Sequence, residues 1–455
     1  MPEGCLFDVG GSSIFIKDDS YDPYYLLALL NSKLCFFVAD ALNPTANIQV
    51  GDLRRVPVAI NKDYEKDIIA LSHQCVELTN MINSYRIVEE NYRKSPISNN
   101  GDIMTVLKSF YLYEAALKTV ILLNESVINK LCFLIYDLSS KDIDMVLGKQ
   151  GIPCANLPVK KESIDYFCSV INSISDFELN PLVIEHIKTL KISEDHADFR
   201  DFENLNIDSS SWEETCDKNK CNPMDLLLDF YNASSICKQR NQTLAFELLT
   251  DVIKTVLDKD DDGIIPLGDK MGEERLAIRI EREFIDRNYN SAQFNQICNL
   301  LGNDFEKYLS EKYFSQLSNH LNLFNYLPKT PFIWHLSSGD HHAIELFVSI
   351  YKWSRDALFR VRSIYVANRE AAIKDRLNSI DTSKTEGRVE ATELRAMLEE
   401  LNSFCQKIDD LLASGYDPKL DDGVGKNIAP LQKRKMLSYE VLNAGQLKKY
   451  LNADW

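Results

Sequence analysis

The sequence predicts an α+β fold that is mainly α: a small β-containing segment at the N-terminus, then a helical spacer, and a long helical hairpin towards the C-terminus. Apolar residues recur at three- and four-residue spacing over most of the chain, the pattern of amphipathic helices. Strand-like pieces are short, at residues 3–17, at 48–50 and in TPFIWHLSSGD at 330–340. Two long periodic runs flank the turn DTSKTEG, as a helical hairpin requires.

EGCLFDVGGSSIFIK at 3–17 alternates around a Gly-Gly turn, with Leu6, Ile14 and Ile16 as strand positions. From 24 to about 41 the spacing is helical. Asp22 or Ser20 supplies the N-cap, Pro23 suits the first turn, and Asn43-Pro44 stops the helix. Residues 48–50 read as a short strand in a unit closed by Pro57. One long helix is predicted over 63–92, with Ile68, Leu71, Cys75, Leu78, Ile82 and Tyr85 as its stripe, and SPISNNGD breaks it. Helices follow at 103–109 and 116–137, and LSSKDIDMVLGKQGIP reads as a capped helix ending at Gly148 or Gly151. Residues 153–220 are less periodic, with 192–220 the most loop-like tract. The pattern is helical again over 224–257, and DKDDDGIIPLGDKMGEE reads as an acidic turn. Helices resume at 273–287, 291–301 and 303–325. The hairpin pairs a helix over 343–380 with one over 388–413, whose seam is Leu394, Leu398, Leu401, Cys405, Ile408 and Leu412. These breaks divide the chain into segments 1–60, 61–155, 156–330 and 331–455.

The chain has 455 residues, enough for several domains, and ordinary hydrophobic (45%) and charged (26%) fractions. No apolar run reaches the length of a membrane span, and MPEGCLFDVGG carries no secretory pattern, so a cytoplasmic location is expected. Eleven scattered cysteines read as reduced thiols. The 68 acidic and 51 basic residues give a net charge of −17, which excludes a simple basic nucleic-acid coat. The excess is local, however: residues 331–455 hold 18 of each sign, and 1–60 hold 7 acidic and 4 basic residues. Acidity is therefore concentrated in 61–330.

Motifs for small-molecule chemistry are absent. There is no Walker-type loop and no strand-to-helix GxGxxG. Gly10-Gly11-Ser12-Ser13 is a hairpin turn whose alternative reading is an anion cradle. Cys216 and Cys221 lack a second pair for zinc, and His335, Asp340, His341 and His342 read as solvated or capping residues. Cations do cluster: Lys352, Arg355, Arg360, Arg362, Arg369, Lys374 and Arg376 on the first hairpin helix, and a basic C-terminal tail. A solvated helix face and phosphate contact are the two readings.

DPYYLLALLNSKLCFFVADALNPTANIQVGDLRRVPV is similar to the end of the target-recognition domain of type I specificity subunits and fused restriction-modification methyltransferases. Four blocks in the same order, MPEGCLFDVGGSSIF, DDDGIIPLGD, EKYFSQ…RSIYV (311–366) and YDPKLDDGVGKNIAPLQ, resemble the C-terminal half of the PglX family of BREX phage-defence adenine-specific DNA methyltransferases. The resemblance implies that 1–60 is the end of a DNA-recognition domain, that the middle is spacer and scaffold, and that Met1 opens inside the recognition domain, as in a split gene, a truncated gene or an expressed fragment. The family's glycine-containing cofactor loop and NPPY motif do not occur here: NPTA (43–46) and NPMD (222–225) lack the second proline and the aromatic. No cofactor is therefore expected in this chain, and S-adenosylmethionine is expected in the missing N-terminal half. The expected partners are double-stranded DNA and a methyltransferase half or other defence subunits. On this reading Ser12, Ser13, Asn43, Thr45, Asn47 and Gln49 are polar candidates at the DNA, with Arg54, Arg55, Arg360 and Arg362 as phosphate candidates. The competing reading is a helical protein-interaction module that docks defence subunits without touching DNA.

Overall fold

A computed structural model describes residues 14–17, 21–43, 45, 49–175, 177–194, 198–205, 211–302, 304–322 and 328–452. The fold is α+β and mainly α, 64% helix and 4% strand, with one small three-stranded sheet. Two units are distinguished: Met1–Pro96 with Met104–Arg240, and Ile97–Ile103 with Asn241–Trp455.

In the first unit, Pro23–Leu30 (α1) starts as expected, with the Asp22 side chain accepting from the Tyr24 amide. The single helix expected over 24–41 is instead two. Lys33–Leu42 (α2) follows at a bend of 64°, because the buried Ser32 caps it, its Oγ accepting from the Cys35 amide at 3.2 Å. Apolar spacing continues across the break and hides it. Of the strand expected at 48–50, residue 48 lies outside the described residues, and Val50 instead begins a one-turn helix, Val50–Leu53 (α3). Lys62–Asn83 (α4) buries Ile68, Leu71, Leu78 and Ile82 of the expected stripe, but ends nine residues earlier than expected. Ile103–Ile135 (α5) is one helix of 33 residues, where two were expected. Tyr111, Ala115, Ala116, Leu117 and Val120 are all fully buried there, and a helix packed on every side loses its one-faced period.

Ser140–Gln150 (α6) has the expected cap, Ser139 Oγ accepting from the Asp142 amide, and ends at Gly151 with φ 78°. Lys161–Asn172 (α7), Pro181–Thr189 (α8), Ser211–Asn219 (α9) and Pro223–Asn232 (α10) follow. The expected loop at 192–220 thus contains α9, which buries Trp212 against Thr119 Oγ1.

Lys238–Lys259 (α11) leads through the acidic turn to Ile264–Pro266 (β1). In the second unit Leu276–Asp286 (α12), Ser291–Leu301 (α13), Phe305–Tyr308 (α14), a π-turn at Leu309–Tyr313 and Phe314–His320 (α15) precede Ile333–Ser337 (β2) and Glu345–Ser349 (β3). The sheet is antiparallel, order β1-β3-β2, with Ile264 and Trp334 on either side of Val348. Its central strand, β3, falls where a helix was expected to begin. All residues of β3 are buried, and without a solvent face no alternation marks it as a strand, whereas β2 falls within the strand-like piece read at 330–340. The hairpin consists of Arg355–Arg360 (α16), a π-turn at Val361–Val366, Ala367–Ser379 (α17) and Thr385–Ala413 (α18). Leu401, Phe404, Ile408, Leu411 and Leu412 are buried in its core, with Leu394, Leu398 and Cys405 partly buried beside them. Gly387 makes the turn possible, since a Cβ there would lie 2.2 Å from the Asp381 carbonyl oxygen. Gly423–Lys433 (α19) and Ala444–Leu451 (α20) close the chain. No single described helix is long and apolar enough to cross a membrane.

Candidate nucleic-acid interface

Between α2 and α3 the chain is tied by one carboxylate. Asp52 Oδ2 accepts from Asn43 Nδ2 at 2.8 Å and from the Gln49 amide at 3.0 Å. Asn43 Oδ1 in turn accepts from the Thr45 amide at 3.0 Å and from Thr45 Oγ1 at 2.6 Å. The sequence candidates Asn43, Thr45 and Gln49 are therefore brought together, with Asn43 and Thr45 shaping the turn. Ser12, Ser13 and Asn47 lie outside the described residues. The Asn43 hydrogen bond, followed by the Gln49 amide, holds the Asp52 carboxyl below the usual range.

Arg54 and Arg55 leave the C-terminal end of α3, and both are exposed. Their amides donate to the carbonyls of Val50 (3.1 Å) and Asp52 (2.9 Å). The following segment is pinned as well. Tyr136 Oη donates to the Pro57 carbonyl at 2.6 Å and accepts from the Ala59 amide at 3.2 Å, while Tyr25 Oη donates to the Ala59 carbonyl at 2.9 Å. A capped turn on one side and two tyrosines on the other hold this segment.

Arg360 and Arg362 belong to the second unit, where acids of that unit already answer their charge. Arg360 pairs with Asp262 at 3.2 Å and Arg362 with Asp409 at 2.5 Å. Lys374 pairs with Glu370, Arg376 with Glu390, Arg369 donates to the Ala343 carbonyl, and Lys352 to those of Asp258 and Asp260. The cationic face read from the sequence is largely an ion-paired one.

The acidic turn takes part in this pairing through Arg360 and Lys352. Asp260 Oδ1 accepts from the Gly263 amide at 2.9 Å and Asp262 Oδ1 from the Ile264 amide at 3.0 Å. Gly263 holds φ 70°, and a Cβ there would meet Lys352 at 3.0 Å. Arg279 bridges Asp260 (2.6 Å) and Glu273 (2.7 Å) at the edge of a cleft of about 570 Å³. Tyr365 Oη, on the second π-turn, lies 2.8 Å from the Ile264 carbonyl and 3.0 Å from Glu273 Oε1. Burial works against the charge of both aspartates. The Arg279 hydrogen bond still holds Asp260 low, whereas burial beside Asp260 pushes Asp262 up. The sequence signal for this site was the three consecutive aspartates before a glycine and two isoleucines, which marks a turn entering a strand.

The histidine and cysteine candidates are structural. His335 is fully buried, its Nδ1 2.8 Å from Ser438 Oγ and its Nε2 3.3 Å from Glu345 Oε1. His342 Nδ1 reaches the same Glu345 oxygen at 3.0 Å. The Cys221 amide donates to the Cys216 carbonyl across Lys220 at φ 52°, the closing bond of a helix C-terminus whose apolar staple is the two thiols. Among the described residues, no group of three or more His, Cys, Asp or Glu is arranged to hold a metal.

No protein-family model matches the chain. It aligns over 462 residues at 24% identity with the adenine-specific methyltransferase BrxX of Escherichia coli O9:H4 (strain HS), covering 94% of this chain and 34% of that relative. A second alignment, 23% identical over 194 residues, relates 38% of the chain to 16% of the adenine-specific methyltransferase PglX of Lacticaseibacillus casei (strain Zhang). The chain is homologous, at low identity, to the BrxX and PglX adenine-specific methyltransferases. It spans about a third of the length of the first of these curated relatives.

Proposed function

We propose that this chain is the DNA-recognition and scaffold portion of a site-specific adenine-N6 DNA methyltransferase of a BREX-type phage-defence system, working with a methyltransferase half that holds S-adenosylmethionine. The homology supports a role related to defence methyltransferases. The observation that carries the DNA reading is the pair Arg54 and Arg55, adjacent and exposed on a backbone fixed on both sides. Guanidinium forks suit phosphate oxygens and stay charged at any working pH. Phosphate contacts position a protein, and a few of them serve a reader whose specificity comes from base edges. The second unit then acts as scaffold, with its cations engaged by its own acids.

That same pairing of Arg360 and Arg362 favours a second reading for the second unit, a module that docks other defence subunits without touching DNA. A fluorescence-anisotropy salt series decides whether the first unit reads DNA. Replacing Arg54 and Arg55 by Ala is expected to weaken specific and random duplexes equally and to lower the slope of log K against log salt by roughly 0.9 per contact. An unchanged slope assigns both arginines to a protein interface or to solvent.

A further inference from the structure

The geometry points to Asp52 as the positioning residue of this interface, holding Arg54 and Arg55 ready for phosphate without touching nucleic acid itself. The inference rests on the reading of 43–55 as DNA-facing and adds a residue that the reading does not contain. One oxygen of Asp52 ties the end of α2 at Asn43 to the start of α3 at Gln49, while its carbonyl accepts from the Arg55 amide. α3 is a single turn of four residues. A helix that short has no stability of its own in water, because nucleation is unfavourable and only one or two bonds follow it. Its order has to come from side-chain contacts, and Asp52 supplies two: the cap on the Gln49 amide and the bond from Asn43 beyond the turn.

The sign of the effect separates positioning from simple charge. Asp52 is an acid next to Arg55 and, if nothing else changed, its field would oppose a phosphate. Removing it would then tighten DNA binding. If Asp52 acts by ordering the turn, removing it weakens binding, because the backbone that carries both arginines must then be ordered when the complex forms.

The test uses the full chain and a fluorescein-labelled duplex of random sequence at low salt. Asp52→Ala is expected to weaken binding about tenfold, the cost of fixing the backbone of about one residue of the turn on binding. Asp52→Asn keeps an acceptor for the Gln49 amide, removes the charge, and is expected to fall between Asp52→Ala and wild type. In the Arg54→Ala/Arg55→Ala background, Asp52→Ala is expected to add nothing, since nothing remains to be positioned. Amide exchange at 49–56 is expected to quicken in Asp52→Ala with the melting temperature unchanged. Tighter or unchanged binding by Asp52→Ala overturns the inference, as does a tenfold loss that persists in the double-alanine background. A double-alanine variant that binds like wild type sinks the DNA reading itself, and the role of Asp52 with it. A loss in that variant with none in Asp52→Ala refutes the inference alone.

Discussion

Replacing Leu401 by Ala tests the hairpin core directly. Leu401 is 1% exposed and belongs to a cluster that includes Phe404, Ile408 and Leu411 of its own helix and Ile373 of α17. Truncating a buried leucine removes transfer free energy and leaves a cavity that relaxes only in part, for a loss of about 2–5 kcal/mol. A loss of about 3 kcal/mol, within that range, is expected here. Leu398, one turn earlier, is only partly buried, and its truncation is expected to cost roughly half as much. Glu399 is exposed, and Glu399→Lys is expected to stay within about 0.5 kcal/mol. Urea titrations followed by near-ultraviolet circular dichroism report on this core, because Trp334 and Trp353 form an edge-to-face pair in the same cluster, 6.0 Å apart. With a slope of about 3 kcal/mol/M, Leu401→Ala should move the midpoint by about 1 M. Equal, small shifts for all three variants would show that the buried face of α18 had been misassigned.

Two glycines should respond to alanine with opposite signs. Gly148 in α6 has open space around its missing Cβ, so Gly148→Ala should stabilise by about 0.5–1 kcal/mol, while Gly387→Ala drives a Cβ onto the Asp381 carbonyl and should cost about 1–3 kcal/mol. Thermal melts that moved the same way for both would refute the contrast. Acid stability should depend on Glu345. Burial opposes its charge, but His335, His342 and Ser310 more than compensate and lower it from 4.5 to about 2. A carboxyl depressed in the folded state contributes stability that is fully present above pH 4.5 and is lost as pH falls from there through about 2. Urea midpoints measured across that window should fall less steeply in Glu345→Gln than in wild type, and parallel curves would remove Glu345 from the account.

What was legible in the sequence follows from which residues face water. α6 was read correctly because Ser139, Asp142 and Gly151 sit at the surface and carry the cap in their own chemistry. The seam of α18 was legible because its outer face is polar, so Leu401, Ile408 and Leu412 stand out at helical spacing. The middle of α5 and strands β1 and β3 were not, since an element buried on every side has no solvent face to set its period. The turn at 43–55 failed for another reason. Asn43, Gln49 and Asp52 cooperate through side-chain-to-backbone bonds that no period records, so residues chosen as base readers are partly occupied in building the turn that carries Arg54 and Arg55. The acidity of the chain has a similar explanation. A count of charges cannot distinguish a solvated acid from Asp260, Asp262, Glu273 or Asp409, each of which engages an arginine of its own unit. The excess acids of the second unit thus consume the cations that looked free in the sequence. Arg54 and Arg55 differ because the one acid within their turn, Asp52, is committed to Asn43 and Gln49, and among the described residues no ion pair engages either guanidinium.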